Sequence, residues 1–399
     1  MHDRTHTSKP LVGEISPELR EAGRDRRIDA FRGIALWCIF LDHVPNNIGS
    51  WLTLRNYGFS DAADLFVFIS GYTVAFVYGR MMISRGTIVA GSRIFKRAWQ
   101  IYVAHVVLFV IYVTEIGLLA KRYNDQRLLD QFNVARFLQD PSETLYHGLT
   151  LAFKPVNMDV LPLYIVLMLT FPPVLWLLLR KPNATLAASF LLYFAARHFG
   201  WNLAAYPTGT WYFNPFAWQF LFVIGAWFAV GGTGKTLAFA KSRWLVLFGT
   251  AYLLFGLFIT LGARFTNLED ILPHRLYIAF VPNDKTNLDP IRVIHFLIIT
   301  FFVIRYVPRD WKGFENPIFR PLILCGQQSL EVFCYGIFLA AAAHVILVEI
   351  SDALWMQCLV SVTGIVMMTG LAYYRSWSKK LDKPNAKSAP SPLPKMASA

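Results

Sequence analysis

The chain has 399 residues, 55% of them hydrophobic and only 16% charged, and its mean hydropathy is positive. That balance excludes a soluble globular domain and a disordered chain and leaves a polytopic membrane protein. A net charge of +13 does not argue for a nucleic-acid partner, because the basic residues gather where membrane topology puts them.

Residues 1–27 are charged and aperiodic and read as a cytoplasmic tail. No signal peptide precedes the first apolar run, which is therefore expected to stay in the protein. Apolar runs able to cross a ~30 Å hydrocarbon core fall near 31–50, 62–82, 98–120, 160–180, 184–200, 214–231, 244–264, 290–307, 322–348 and 353–375. No barrel-type alternation accompanies them, so the expected fold is all-α, a bundle of about ten transmembrane helices. Basic residues crowd alternate connections, from Arg26 and Arg27 through Arg80 and Arg85, Arg180 and Lys181, and Arg305 and Arg309 to Lys379 and Lys380. The positive-inside rule then places both termini in the cytoplasm. A membrane domain over 28–378 is followed by a tail over 379–399, rich in Lys, Pro, Ser and Ala, that reads as disordered.

The first span, RIDAFRGIALWCIFLDHVPNN at 27–47, carries charge that hydrocarbon penalises by about 2.5 to 3.5 kcal/mol for each Arg or Asp at a helix centre. Eleven positions at ~100° each return Arg32 and His43 to one helix face. Asp29 shares that face, Asp42 is expected to point elsewhere, and Pro45 ends the helix just beyond His43. Asp64, near the start of the second span, is expected at the depth of His43, with Ser70 and Gly71 giving close helix packing at mid-membrane.

The basic segment GSRIFKRAWQIY at 91–102 reads as a cytoplasmic loop, in which Arg93, Lys96 and Arg97 are either an ordinary positive-inside flank or a cradle for phosphates. The outer connection 121–158 is long enough to expect a function, with a helix starting near 141 if Ser142 caps it. Asp159 and Tyr164 stand at the start of the fourth span. In FNPFAWQF at 213–220, Trp218 and Gln219 offer an aromatic face and an amide suited to a sugar, or else belong to an interfacial belt. The outer loop 265–289, with Glu269, Asp270, His274, Arg275, Asp284 and Asp289, reads as a lid over an acceptor. Glu331, in CGQQSLEVFCYGIF at 325–338, is a second buried carboxylate, able to neutralise Arg32 or to serve in catalysis. Cys38, Cys325, Cys334 and Cys358 lie inside spans without metal or disulfide spacing and read as small apolar residues, so no metal is expected.

An imidazole and a cation on one face, carboxylates at matching depth and basic inner segments fit a transporter or an intramembrane transferase. Internal repeats and broken helices would favour a carrier, and no repeat is visible. A neutral His suits general-base activation of a hydroxyl, and a fixed cation suits a phosphate-rich donor.

The Arg32-x10-His43 spacing, FVFISGY at 66–72, the segment ending RAWQIY and the span count resemble the membrane-bound acyltransferase-3 superfamily. RIDAFRGIAL, NMDVLPLYIVL, FNPFAWQF and CGQQSLEVF resemble more closely its OpgC branch, over about residues 27–375. The resemblance implies a bacterial inner-membrane enzyme that moves an acyl group, succinyl in that branch, from cytoplasmic acyl-CoA to a hydroxyl of a periplasmic glucan. It implies an essential His43, with Arg32 assisting the donor. The wider superfamily carries Arg-x-x-Arg-Ile before span three, where this chain has Gln100 three residues after Arg97. Arg93 or Lys96 is then expected to stand in. Acyl-CoA enters as co-substrate, no bound cofactor is expected, Asp64 or Glu331 would orient His43, and Asp159, Tyr164, Trp218 and Gln219 would meet the glycan. The alternative is an exporter of a glycan or lipid-linked sugar.

Overall fold

A computed structural model describes residues 25–232, 242–281, 283–309 and 311–381. The expectations for the tails beyond those limits lie outside the described residues. All regular structure within them is helical. The main helices are α1 (Arg26–Asp42), α2 (Ala62–Arg85), α3 (Thr87–Tyr123), α4 (Val160–Arg180), α5 (Pro182–Phe199), α6 (Pro215–Trp227), α7 (Arg243–Phe265), α8 (Pro290–Tyr306), α9 (Arg320–Gln327), α10 (Ser329–Glu349) and α11 (Leu354–Leu381).

Six of these, α2, α3, α4, α7, α10 and α11, are long and apolar enough to cross a membrane. The other expected spans coincide with shorter or more polar helices. α1 and α8 have 17 residues each, which at 1.5 Å per residue reach about 26 Å, short of a ~30 Å core. The expected span at 322–348 is two helices, because the backbone leaves helical geometry at Gln328 (φ −107°, ψ 36°).

Two expectations about local structure change. Residues 91–102 are not a loop but part of the 37-residue α3. After Gly86 (φ 88°) the sequence holds no Pro or Gly-rich break until Asn124 ends the helix in the left-handed region. The Pro172-Pro173 pair, which by sequence reads as a strong interruption, lies within α4, and the helix continues across it. The helix near 141 does form, over Pro141–Leu149, but its cap is Asp140, which accepts from Glu143 N, and Ser142 lies inside the first turn. Asp is as good an N-cap as Ser, and Pro141 takes the first helical position, where a missing N–H costs nothing.

α2 runs back along α1: Arg32, ten residues before the end of α1, bonds to Ile69 O and Thr73 on α2. Two crossings bring backbones into contact. A Cβ on Gly71 would stand 1.9 Å from Phe222 O and one on Gly225 2.1 Å from Phe68 O, so α2 and α6 touch where neither has a side chain. Gly33 against Leu322 O (2.0 Å) and Gly326 against Asp29 O (1.8 Å) do the same for α1 and α9. Such small-residue seams suit helices that cannot rely on a hydrophobic effect between them. The packing expected of Gly71 is thus present. One continuous buried core runs through α1, α2, α3, α4, α6 and α10.

Candidate active site

Pro45 cannot continue a helix, since it lacks the N–H that would bond Leu41 O and its ring crowds the preceding turn. α1 therefore ends at Asp42, with His43 as C-cap (φ −89°, ψ −3°). Asn46 then takes a positive φ of 53°, and two short 3₁₀ turns, Ile48–Leu52 and Leu54–Asn56, carry the chain back under the helix end. Thr53 Oγ1 donates to Asp42 at 2.6 Å, and Arg55 pairs with the same carboxylate at 3.4 Å.

Asp42 and His43 line a cavity of about 770 Å³ together with Arg55, Asp61, Lys154, Asp159 and Lys285. Asp42 was expected to face away from His43, an inference that holds only for a helix running straight through; the helix ends there and the carboxylate faces the cavity. The His43 ring makes no side-chain hydrogen bond among the described residues, its Nδ1 is buried, and the charges that act on it are Lys285, Asp61 and Arg55.

Asp61 and Asp64 form a reciprocal cap at the start of α2: Asp61 Oδ1 accepts from Ala63 N, and Asp64 Oδ2 accepts from Asp61 N at 2.8 Å. Arg292 of α8 sits 2.6 Å from Asp64 and 3.1 Å from Asp61, and Lys285 Nζ donates to Asp61 at 2.6 Å. Burial works against the Lys285 ammonium, but the Asp61 carboxylate and Tyr212 together outweigh it and hold the pKa above the ordinary lysine value. Burial pushes Lys154 down to about 8, partly opposed by Asp159. Burial pushes Asp159 up to about 6, partly opposed by Lys154. Lys154 Nζ also lies 3.9 Å from the centre of the Trp211 ring and donates to Leu151 O.

Of the residues singled out by sequence, His43 and Asp159 line this cavity. Arg32 does not; it is buried at 8% exposure between α1 and α2. Asp64 is fully buried and committed to Arg292 and Asp61 N. Glu331 pairs with Arg375 at 3.2 Å and Lys379 at 3.6 Å. Neither carboxylate bonds His43, which corrects their expected orienting role, and Glu331 does not neutralise Arg32.

Trp218 is fully buried, and its indole N–H donates to Lys285 O and Thr286 O. Gln219 bonds Ser189 and Phe216 O, and Tyr164 packs near Phe222. None of the three lines the cavity; their polar groups, or in Tyr164 its ring, are engaged within the bundle. Trp218 instead fixes the turn that presents Lys285. Arg93 and Lys96 are exposed on α3.

The residues that sequence reading did not assign to the site are Asp42, Arg55, Asp61, Lys154 and Lys285. Lys154 sits in the 121–158 connection flagged by its length, and Lys285 in the 265–289 loop flagged for its acids. That loop contributes a cation to the cavity, while Asp284 and Asp289 hold Arg197 at 3.8 Å.

A second, largely apolar cleft of about 270 Å³ lies between α1, α2 and α8. Its lining runs from Asp25 and Arg27, at the start of α1, through Phe31, Ile69 and Phe296 to Ser60 and Asp61, at the start of α2. Asp61 lines both spaces. Arg27 and Arg309 surround Asp25 at the basic end, at 2.9 and 3.6 Å.

No curated protein and no solved structure matches the chain. A family model described as OpgC protein matches residues 24–380, which takes in both spaces described above and every helix but the last residue of α11. The chain belongs to the OpgC family.

Proposed function

We propose that the protein is an inner-membrane O-acyltransferase that moves an acyl group, succinyl in the first instance, from cytoplasmic acyl-CoA to a hydroxyl of an extracytoplasmic glucan. Family membership points to a glucan-modifying transferase. The observation that carries the finer reading is the meeting of two unlike spaces at Asp61. One is a polar cavity holding His43, and the other is an apolar cleft that leads from it to the basic end of α1.

In this reading the donor's phosphates stay at the basic face near Arg27 and Arg309, and its thioester arm lies in the cleft. Arg32, bonded to the cleft-lining Ile69, lends positive potential to that path. The glucan enters the polar cavity, where Asp159, Lys154 and Lys285 offer hydrogen bonds to hydroxyls. His43 takes the proton of the attacking hydroxyl as its oxygen bonds to the acyl carbon. The carbon–sulfur bond then breaks, and the CoA thiolate recovers the proton from the imidazolium. The protein binds no cofactor for this step. In this reading the chain crosses ten times, as its apolar runs suggest, the positive-inside distribution keeps both termini cytoplasmic, and the two ends of the cleft face opposite sides of the membrane.

Mass spectrometry of periplasmic glucans from cells with and without the protein tests the class of activity. A transferase changes substituent mass at constant glucan amount. Unchanged substituents with altered amount would replace this reading with export.

A further inference from the structure

A third cavity, of about 750 Å³, lies between α3, α10 and α11 and shares no lining residue with the other two. Its polar end is formed by Arg97, Glu331, Arg375 and Lys379. Arg375 and Lys379 both lean on Glu331, so three cations face one carboxylate. Arg375 Nε is buried and has no hydrogen-bond partner among the described residues. Beyond this end the walls are apolar, with Leu108 and Ile111 on α3 and Phe338 on α10. From Arg97 to Ile111 the helix rises about 21 Å, more than the ~15 Å half of a hydrocarbon core. The recess opens outward: Ile111 is 47% exposed on a helix long and apolar enough to span.

We infer that this recess holds an anionic phospholipid. Its phosphate is taken by Arg97, Arg375 and Lys379, and one acyl chain lies against Leu108, Ile111 and Phe338. Guanidinium groups bind phosphate oxygens bidentately, and basic pockets between spanning helices on the cytoplasmic side suit anionic headgroups. A soluble phosphate compound would use the cations but leave the apolar wall unfilled. The inference does not depend on the acyltransferase reading, because binding is measured without turnover.

Native mass spectrometry of the full chain, released from mild detergent after incubation with phosphatidylglycerol or phosphatidylcholine of identical chains, tests it. Phosphatidylglycerol adducts should survive at least about tenfold better, because both lipids carry the phosphate but the choline cation of phosphatidylcholine meets the three cations of the recess, and like charges side by side are disfavoured. Arg375→Gln with Lys379→Gln should remove that preference. Ala104→Trp, which fills the recess without touching a charge, should reduce adducts of both lipids. Arg97→Gln, whose bond in the structure is to Gln100 at 3.4 Å, gives a milder variant if the α11 pair does not fold. Equal retention of the two lipids, or retention unchanged in these variants, overturns the inference. Displacement of the lipid by millimolar free coenzyme A also overturns it, assigning the recess to a soluble phosphate ligand.

Discussion

At the scale of single residues, the cavity around His43 is a balance of buried charges whose protonation changes within the physiological range. Lys154 loses its proton as pH rises through about 8, well below the ~10.4 of an ordinary lysine, and Asp159 gains one as pH falls through about 6. Cation and carboxylate therefore coexist between those values. Glucan acylation should hold a plateau there and fall above about pH 8. Lys154→Arg, which stays charged, should remove the alkaline fall; a variant that declines like the parent would take Lys154 out of acceptor binding. His43 was legible because a titratable group in an apolar run demands a reason. Its neighbours were not, since Lys154 and Lys285 come from connections whose path the sequence does not encode locally. The carboxylates chosen by depth, Asp64 and Glu331, have cation partners on α8 and α11 that one-dimensional depth cannot show.

Among the helices, two paired glycine contacts set the register of the bundle. Gly71→Ala must push α2 from α6, since the new methyl would meet a backbone carbonyl that cannot rotate away. Overpacking of this kind costs typically ~1 to 3 kcal/mol. Gly117 on α3 faces open space, and Ala there should be neutral or stabilising by up to ~1 kcal/mol through helix propensity. Thermal unfolding in detergent should separate the two; equal effects would mean the α2–α6 contact is not tight. The sequence marked Gly71 as a packing residue but could not name Gly225 as its partner. Apolar runs located α4 and the start of α11 well, whereas α3 begins at Thr87, well before its expected span, because charge at a membrane face looks the same on a loop or on a helix that overshoots the bilayer. The end of α1 was legible to within a residue because Pro45 enforces it.

For the whole molecule, the account requires donor and acceptor to approach from opposite faces through spaces that meet at Asp61. Val303, on the α8 wall of the apolar cleft, provides a test. Val303→Trp should raise KM for acyl-CoA or abolish turnover while glucan binding persists; unimpaired kinetics would reroute the donor. Topology is testable separately. In a Cys358→Ser background, a cysteine at Tyr57 should react with a membrane-impermeant maleimide from the periplasm, and one at Lys380 only after the membrane is opened. The reverse pattern would invert the assignment of faces. Six of ten expected spans are long and apolar enough by themselves. Of the remaining four, α1 and α8 line the apolar cleft with 17 residues each, α6 is apolar but only 13 residues long, and α5 carries polar residues at both ends, so length and composition fall short for different reasons.

The central claim is that His43 is the base of an acyl transfer, and reconstitution with isotope-labelled succinyl-CoA on the basic face and glucan on the other measures it directly. His43→Asn keeps the size and polarity of the side chain but takes no proton at neutral pH. It should lower label transfer by about 10² to 10⁴-fold, the usual share of a general base, with unfolding temperature and acyl-CoA binding unchanged. Transfer at the parent rate by the folded Asn variant would contradict the mechanism.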